Sequence, residues 1–132
     1  AVCDTVSRTK LEQILKQKTN GPRVSIPTTV TKEGQVSACA FIVDGVQPQG
    51  VASVIISTRE FKSADAASSA YAILTKVSDK NRKTINNNAF YSTSAKQMVT
   101  IKDAKITTIT VSLASNAATP DKSFFEQFLD LL

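Results

Sequence analysis

The chain is expected to fold as one α+β domain of two layers, an antiparallel β-sheet covered by about three helices, in the order α-βββ-α-βββ-α. Three observations lead there. Two groups of period-two apolar segments are broken by tight-turn dipeptides, which builds antiparallel meanders. Three further segments repeat apolar residues at spacings of three and four, and such helices need a broad face to cover. Nothing within the 132 residues reads as a linker or a low-complexity tract, so residues 1–132 form a single domain.

The first helix runs from Ser7 to Lys18, with Leu11, Ile14 and Leu15 on one side and the charged residues away from it. Thr9 and Glu12 have capping-box spacing, Ser7 is an equal N-cap candidate, and Asn20-Gly21-Pro22 supplies the stop. The pattern then shifts to period two. Val24–Val30 is a strand that Pro27 places at a sheet edge, Glu33-Gly34 turns the chain, and Val36–Val43 alternates Cys39, Phe41 and Val43 against Ala38, Ala40 and Ile42. Val51–Thr58 is the third strand, rich in β-branched residues.

Ser63 caps the strongest helix, reaching Ser78 with Ala66, Ala67, Ala70, Ile73, Leu74 and Val77 as its packing stripe and Tyr71 off that stripe. Polar Asp79–Asn88 reads as a loop. Ala89–Ser92, Gln97–Lys102 and Lys105–Leu113 are three more strands, the last two a hairpin turning at Asp103-Ala104. Thr119-Pro120 opens a closing helix with Phe124, Phe125, Phe128, Leu129 and Leu132 along one stripe, a core face rather than a partner-binding one.

Composition narrows function by exclusion. With no histidine, the chain lacks the commonest general base, every Ser/His or Cys/His nucleophile pair and the imidazole ligands of zinc, copper and non-haem iron. No phosphate-binding glycine loop, nucleophile elbow or metal signature is present, so no cofactor and no metal are expected. Carboxylates remain, and Glu60 with Asp65 is the one pair able to flank a cleft, although Asp65 equally suits a helix N-terminus and Glu60 sits between basic neighbours. The net charge is +5, but the basic residues alternate with acids and lack interleaved aromatics, which describes solvated faces and not a nucleic-acid surface. No apolar run approaches the roughly 18–20 residues of a membrane span.

Cys3 and Cys39, the only cysteines, are too far apart for a redox pair and too few for a four-ligand metal site. One disulfide is the expected pairing, and with it an oxidising compartment; the alternative is two reduced, buried thiols. The start Ala1-Val2-Cys3, without an initiator methionine, is what a mature product would show after loss of an export signal.

Cys3 ahead of a short helix, Cys39-Ala40-Phe41, Asn87-Asn88-Ala89-Phe90-Tyr91 and the hairpin Met98–Val111 resemble the small exported lipoproteins of unknown function typical of actinobacteria. Phe41 stands where that family usually has tryptophan, and Asn87-Asn88 where it has Gly-Asp. The resemblance implies an envelope location, a Cys3–Cys39 disulfide and no assigned enzymatic activity.

The candidate recognition surface is the polar loop with its aromatic exit: Lys80, Arg82, Lys83, Asn86, Asn87, Asn88, Phe90 and Tyr91. The structural alternative for this stretch is a solvated connection followed by a half-buried strand. The expected function is therefore that of a small secreted or periplasmic, disulfide-stapled, non-catalytic protein that binds an unidentified protein or envelope ligand. An inhibitor or immunity-type protein acting through an exposed strand edge or loop is the alternative. A histidine-free enzyme using carboxylates is kept because nothing forbids it.

Overall fold

A computed structural model describes residues 2–46, 50–76, 82–115 and 120–132. Helix α1 (Arg8–Leu15) is capped by Ser7, whose hydroxyl accepts the Lys10 N–H at 3.2 Å, so Ser7 and not Thr9 opens it. It ends earlier than expected, at Lys16 in the left-handed region (φ 57°). Asn20-Gly21-Pro22 accordingly belongs to the next element, β1 (Thr19–Thr31). The cause lies in α1 itself. Glu12 accepts the Thr19 N–H at 2.6 Å and the Arg8 guanidinium donates to the Thr19 carbonyl, so two helix side chains hold the first residue of the strand.

The chain continues through β2 (Gly34–Val43), β3 (Val51–Phe61), α2 (Ala64–Lys76), β4 (Arg82–Asn86), β5 (Ala89–Ser92), β6 (Gln97–Lys102) and β7 (Lys105–Leu113). These strands make one sheet in the order β1-β2-β3-β7-β6-β5-β4, with all neighbours antiparallel. The strand carrying Pro27 lies at an edge, as its proline requires. The expected count of six strands is corrected to seven, because β4 forms inside the stretch read as a loop. Its sequence Arg-Lys-Thr-Ile-Asn has almost no apolar alternation, and pairing with β5 (Lys83 opposite Tyr91) makes it a strand.

Register divides the residues between two faces. On the first, Cys39 lies opposite Ile56 and Phe41 opposite Val54; Ile109, Met98 and Tyr91 continue the row across β7, β6 and β5. This face carries the main core, closed by Val2, by Leu11 of α1, and by Phe125, Phe128 and Leu131. On the second face a smaller core joins Phe61, Val99 and Ile106 to Ala67 and Tyr71 of α2. Helices therefore cover both faces of the sheet, where two layers were expected. The chain passes from β3 to β4 at the far edge, and α2 makes that crossing over the face left free by the other helices.

Helix α2 is rotated from its expected stripe. Ala67 and Tyr71, four apart, are buried, while Ile73 is 67% exposed. The ring of Tyr71 packs on Phe90 at 5.7 Å, and this aromatic contact sets the helix phase. Burial pushes the Tyr71 hydroxyl pKa upward, against a smaller opposing pull from Arg82.

The C-terminal segment begins as α3 (Lys122–Glu126), capped by Asp121, which accepts the Phe124 N–H at 2.9 Å. It then tightens to a 3-10 segment, Gln127–Leu131. The tighter pitch repeats every three residues, so Phe125, Phe128 and Leu131 are the buried series and Leu132 is displaced outward. A short 3-10 turn, Val2–Asp4, is fixed at the other terminus by the Cys3–Cys39 disulfide, which anchors it to the middle of β2. Cys39 is fully buried.

Candidate functional site

Below the main core, the first face turns polar. The pairings Thr100–Thr107, Thr107–Thr58 and Thr58–Ser37 set four hydroxyl residues in a row across β6, β7, β3 and β2. One step nearer the strand ends, Lys102–Lys105, Lys105–Glu60 and Glu60–Gln35 form a second row over the same strands. At a strand spacing of about 4.8 Å, each row spans roughly 15 Å.

Two adjoining hollows lie along these rows. A cleft of about 600 Å³ holds the β6–β7 end, with Asn86 and Asn88 at one side and Leu129 and Leu132 of the C-terminal segment above. A hollow of about 140 Å³ holds the β2–β3 end beneath Val2 and Thr5. Glu60 and Lys105 line both, so the two form a continuous trough running across the strands.

The polar groups of the trough are unequally engaged. Ser37 and Thr58 share a hydroxyl contact at 3.2 Å, and the Val2 N–H donates to Ser37 at 3.4 Å, so the narrow end is internally satisfied. The Thr100 hydroxyl donates to the Asn88 carbonyl at 2.9 Å, and the Ile101 N–H donates to the same oxygen at 2.9 Å. Asn86 Oδ1 accepts the Asn88 N–H at 2.7 Å, and among the described residues the two amide N–H donors of Asn86 have no partner. The turn Asp103-Ala104 is held to β3 by the Phe61 N–H, which donates to the Ala104 carbonyl at 2.7 Å. Lys102 and Lys105 project from that fixed turn in directly opposed positions, where like charges repel.

Of the sequence candidates, Asn86 and Asn88 line the trough. Asn87 is exposed in the β4–β5 turn. Arg82 stands over the Phe90 ring at 5.7 Å and donates to the Leu74 carbonyl at 3.1 Å, while Phe90 is half-buried between Arg82 and Tyr71 on the second face. Lys83 is exposed on β4. Tyr91 is buried against Phe125 at 5.4 Å, a core residue rather than an accessible aromatic. Lys80 lies outside the described residues. Glu60 faces the trough, whereas α2, which carries Asp65, covers the opposite face; the two carboxylates do not flank one cleft.

Sequence reasoning missed the trough's central residues. One signal was present: Thr100-Ile101-Lys102 and Lys105-Ile106-Thr107 mirror each other about the Asp103-Ala104 turn, so a two-residue hairpin pairs like with like.

A second concavity, of about 610 Å³, lies between α2 and β1–β3 on the other face, with Ile26, Val36, Ile73 and Leu74 in its lining. Glu33 and Arg59, its only charged lining residues among those described, neutralise each other at 3.1 Å. The trough is the better candidate because it presents uncommitted donors at fixed positions, which is what orients a ligand.

Among the described residues no helix is long and apolar enough to cross a membrane, and no group of three or more His, Cys, Asp or Glu side chains comes together. No family model, no curated protein and no solved structure matches the chain.

Proposed function

We propose that the chain is an exported, disulfide-stapled, non-catalytic binding protein of the bacterial cell envelope, and that the trough on the first face receives its ligand. The observation that carries this reading is the run of uncommitted donors from Asn86 through Lys102 and Lys105, set over a sheet and roofed by Leu129 and Leu132. The disulfide is compatible with an oxidising compartment. Rigid strands supply the positioning, since the donor residues Asn86, Lys102 and Lys105 all sit on paired strands.

The test is retention on an insoluble bacterial envelope preparation, comparing wild type with Thr100→Tyr, which fills the trough from its floor. Retained wild type and lost variant, both folded by near-UV circular dichroism, is the expected result. Equal retention of the two contradicts the reading.

One observation favours the inhibitor reading as a second choice. Strand β1 is 13 residues long, lies at a sheet edge and exposes Val24, Ile26 and Val30, the last at 76%. Its outward main-chain groups are free to pair with an extended segment of a target enzyme. An Ile26→Lys/Val30→Lys variant that loses retention while Thr100→Tyr keeps it would favour this reading.

A further inference from the structure

We infer that the wide end of the trough binds an acidic sugar: a small, hydroxyl-rich molecule bearing one oxyanion, with the oxyanion held by Lys102 and Lys105. This rests on the reading of the trough as a ligand site and names the chemistry the site selects.

The decisive group is Thr107. Its residue is only 3% exposed, it makes no hydrogen bond among the described residues, and no buried side-chain polar atom there lacks a partner. The Thr107 hydroxyl is therefore open to solvent, and the opening it reaches is the cleft it lines. A hydroxyl on the lining of a concavity, with no protein hydrogen bond among the described residues, can exchange its water for a ligand atom.

Lys102 and Lys105 line the same cleft. Among the described residues neither Lys102 nor Lys105 has a carboxylate within 4.0 Å, although Glu60 is the direct cross-strand neighbour of Lys105. Opposed like charges on a turn fixed by the Phe61–Ala104 hydrogen bond cannot relax apart through the backbone. An anion between them removes the repulsion and gains two charge-assisted hydrogen bonds. The free Asn86 amide donors extend the same donor surface.

The remaining lining limits which anion fits. Glu60 and Asp103 also border the cleft. Their carboxylates accept hydrogen bonds and repel a second anionic group, so the ligand carries one oxyanionic group, flanked by donors of its own. Hydroxyl groups on a sugar ring meet that requirement at neutral pH. The aliphatic side chains of Leu129 and Leu132 supply an apolar surface for the C–H face of such a ring. The oxyanion itself, carboxylate or phosphate, is distinguished by experiment.

The experiment is a titration of 15N-labelled protein with glucuronate, glucose 6-phosphate, glucose and inorganic phosphate, each at low ionic strength. Glucuronate and glucose 6-phosphate should move the amides of residues 100–107 and 86–88 and bind about tenfold or more tighter than glucose or phosphate alone. The tighter of the two acids identifies the oxyanion. Lys102→Gln/Lys105→Gln, altering two exposed side chains, should weaken the acids by about tenfold and leave glucose unchanged. Thr107→Val should weaken all the sugars. Glucose binding as tightly as the acids, phosphate alone doing so, or the double lysine variant matching wild type overturns the inference. So does the absence of any sugar at the trough; if the envelope preparation still retains wild type but not Thr100→Tyr, that failure leaves the trough's role standing.

Discussion

Removing the Cys3–Cys39 cross-link should cost a large share of the roughly 5–15 kcal/mol of stability that a domain ordinarily has. The clean perturbation is Cys3→Ser, because Cys39 is fully buried and its sulfur continues to fill the core once its half-buried partner is gone. The bond joins residues with a sequence separation of 36. On the chain-entropy relation, a loop of that length restricts the unfolded chain by about 13 cal/mol/K, or about 4 kcal/mol at 25 °C. Unfolding entropies of about 2.1 cal/mol/K per residue, applied to 132 residues, convert this to a melting temperature about 14 °C lower. Urea unfolding followed by circular dichroism measures it, and the released unfolded chain should also steepen the denaturant dependence. Hydrogen exchange should accelerate at residues 2–5, of which Val2 and Thr5 wall the narrow end of the trough, while the Lys102–Lys105 turn stays protected by its bond to β3. A loss below about 1 kcal/mol, or a wild type indifferent to reductant, would refute the assignment of the cross-link as the chain's main staple.

Three further outcomes are expected. Phe128→Ala removes a fully buried ring stacked edge-on against Phe124 at 5.2 Å and should destabilise by about 3–5 kcal/mol in urea unfolding; a loss under about 1 kcal/mol would show that the C-terminal aromatics are not core. Gly34→Ala would place a Cβ 1.9 Å from the Glu60 carbonyl oxygen, so it should cost about 2 kcal/mol or more, whereas Gly45→Ala, with nothing within 4 Å, should cost only about 1 kcal/mol for its left-handed backbone; equal costs would contradict the close β2–β3 approach. The Thr19 N–H first, then the Thr19 hydroxyl with Lys18 and Arg8, hold the Glu12 carboxyl below the ordinary carboxylate range despite partial burial. A lowered folded-state pKa stabilises above the unfolded value and is lost as pH falls through the folded one, so the gap between wild type and Glu12→Gln should be widest near neutrality and close in acid. A gap independent of pH would remove Glu12 from the α1–β1 junction.

What was legible in the sequence was what local chemistry decides. Alternation in Val36–Val43 and Lys105–Leu113, the Asp103-Ala104 turn and the edge position of Pro27 all depend on near neighbours. The misses arise where distant residues decide. Strand β4 exists because β5 offers it a hydrogen-bonding edge, and its own residues carry no period that says so. The stripe of α2 was misplaced because Tyr71 docks on Phe90, a strand away in sequence and across the second face in space. Amphipathic spacing identifies a helix but not the side of the sheet it covers, so two layers were expected where helices flank both faces. The trough was hidden for the same reason: Ser37, Thr58, Thr107 and Thr100 come from four strands, and only the register aligns them.

Recognition of a ligand through the polar trough can be read from amide chemical shifts on adding solubilised glycan and peptide fractions of a bacterial cell envelope. Perturbations centred on Asn86, Asn88 and the Thr100–Thr107 hairpin are the predicted result. Perturbations confined to β1 or to the groove beside α2, or none from any fraction, would contradict it.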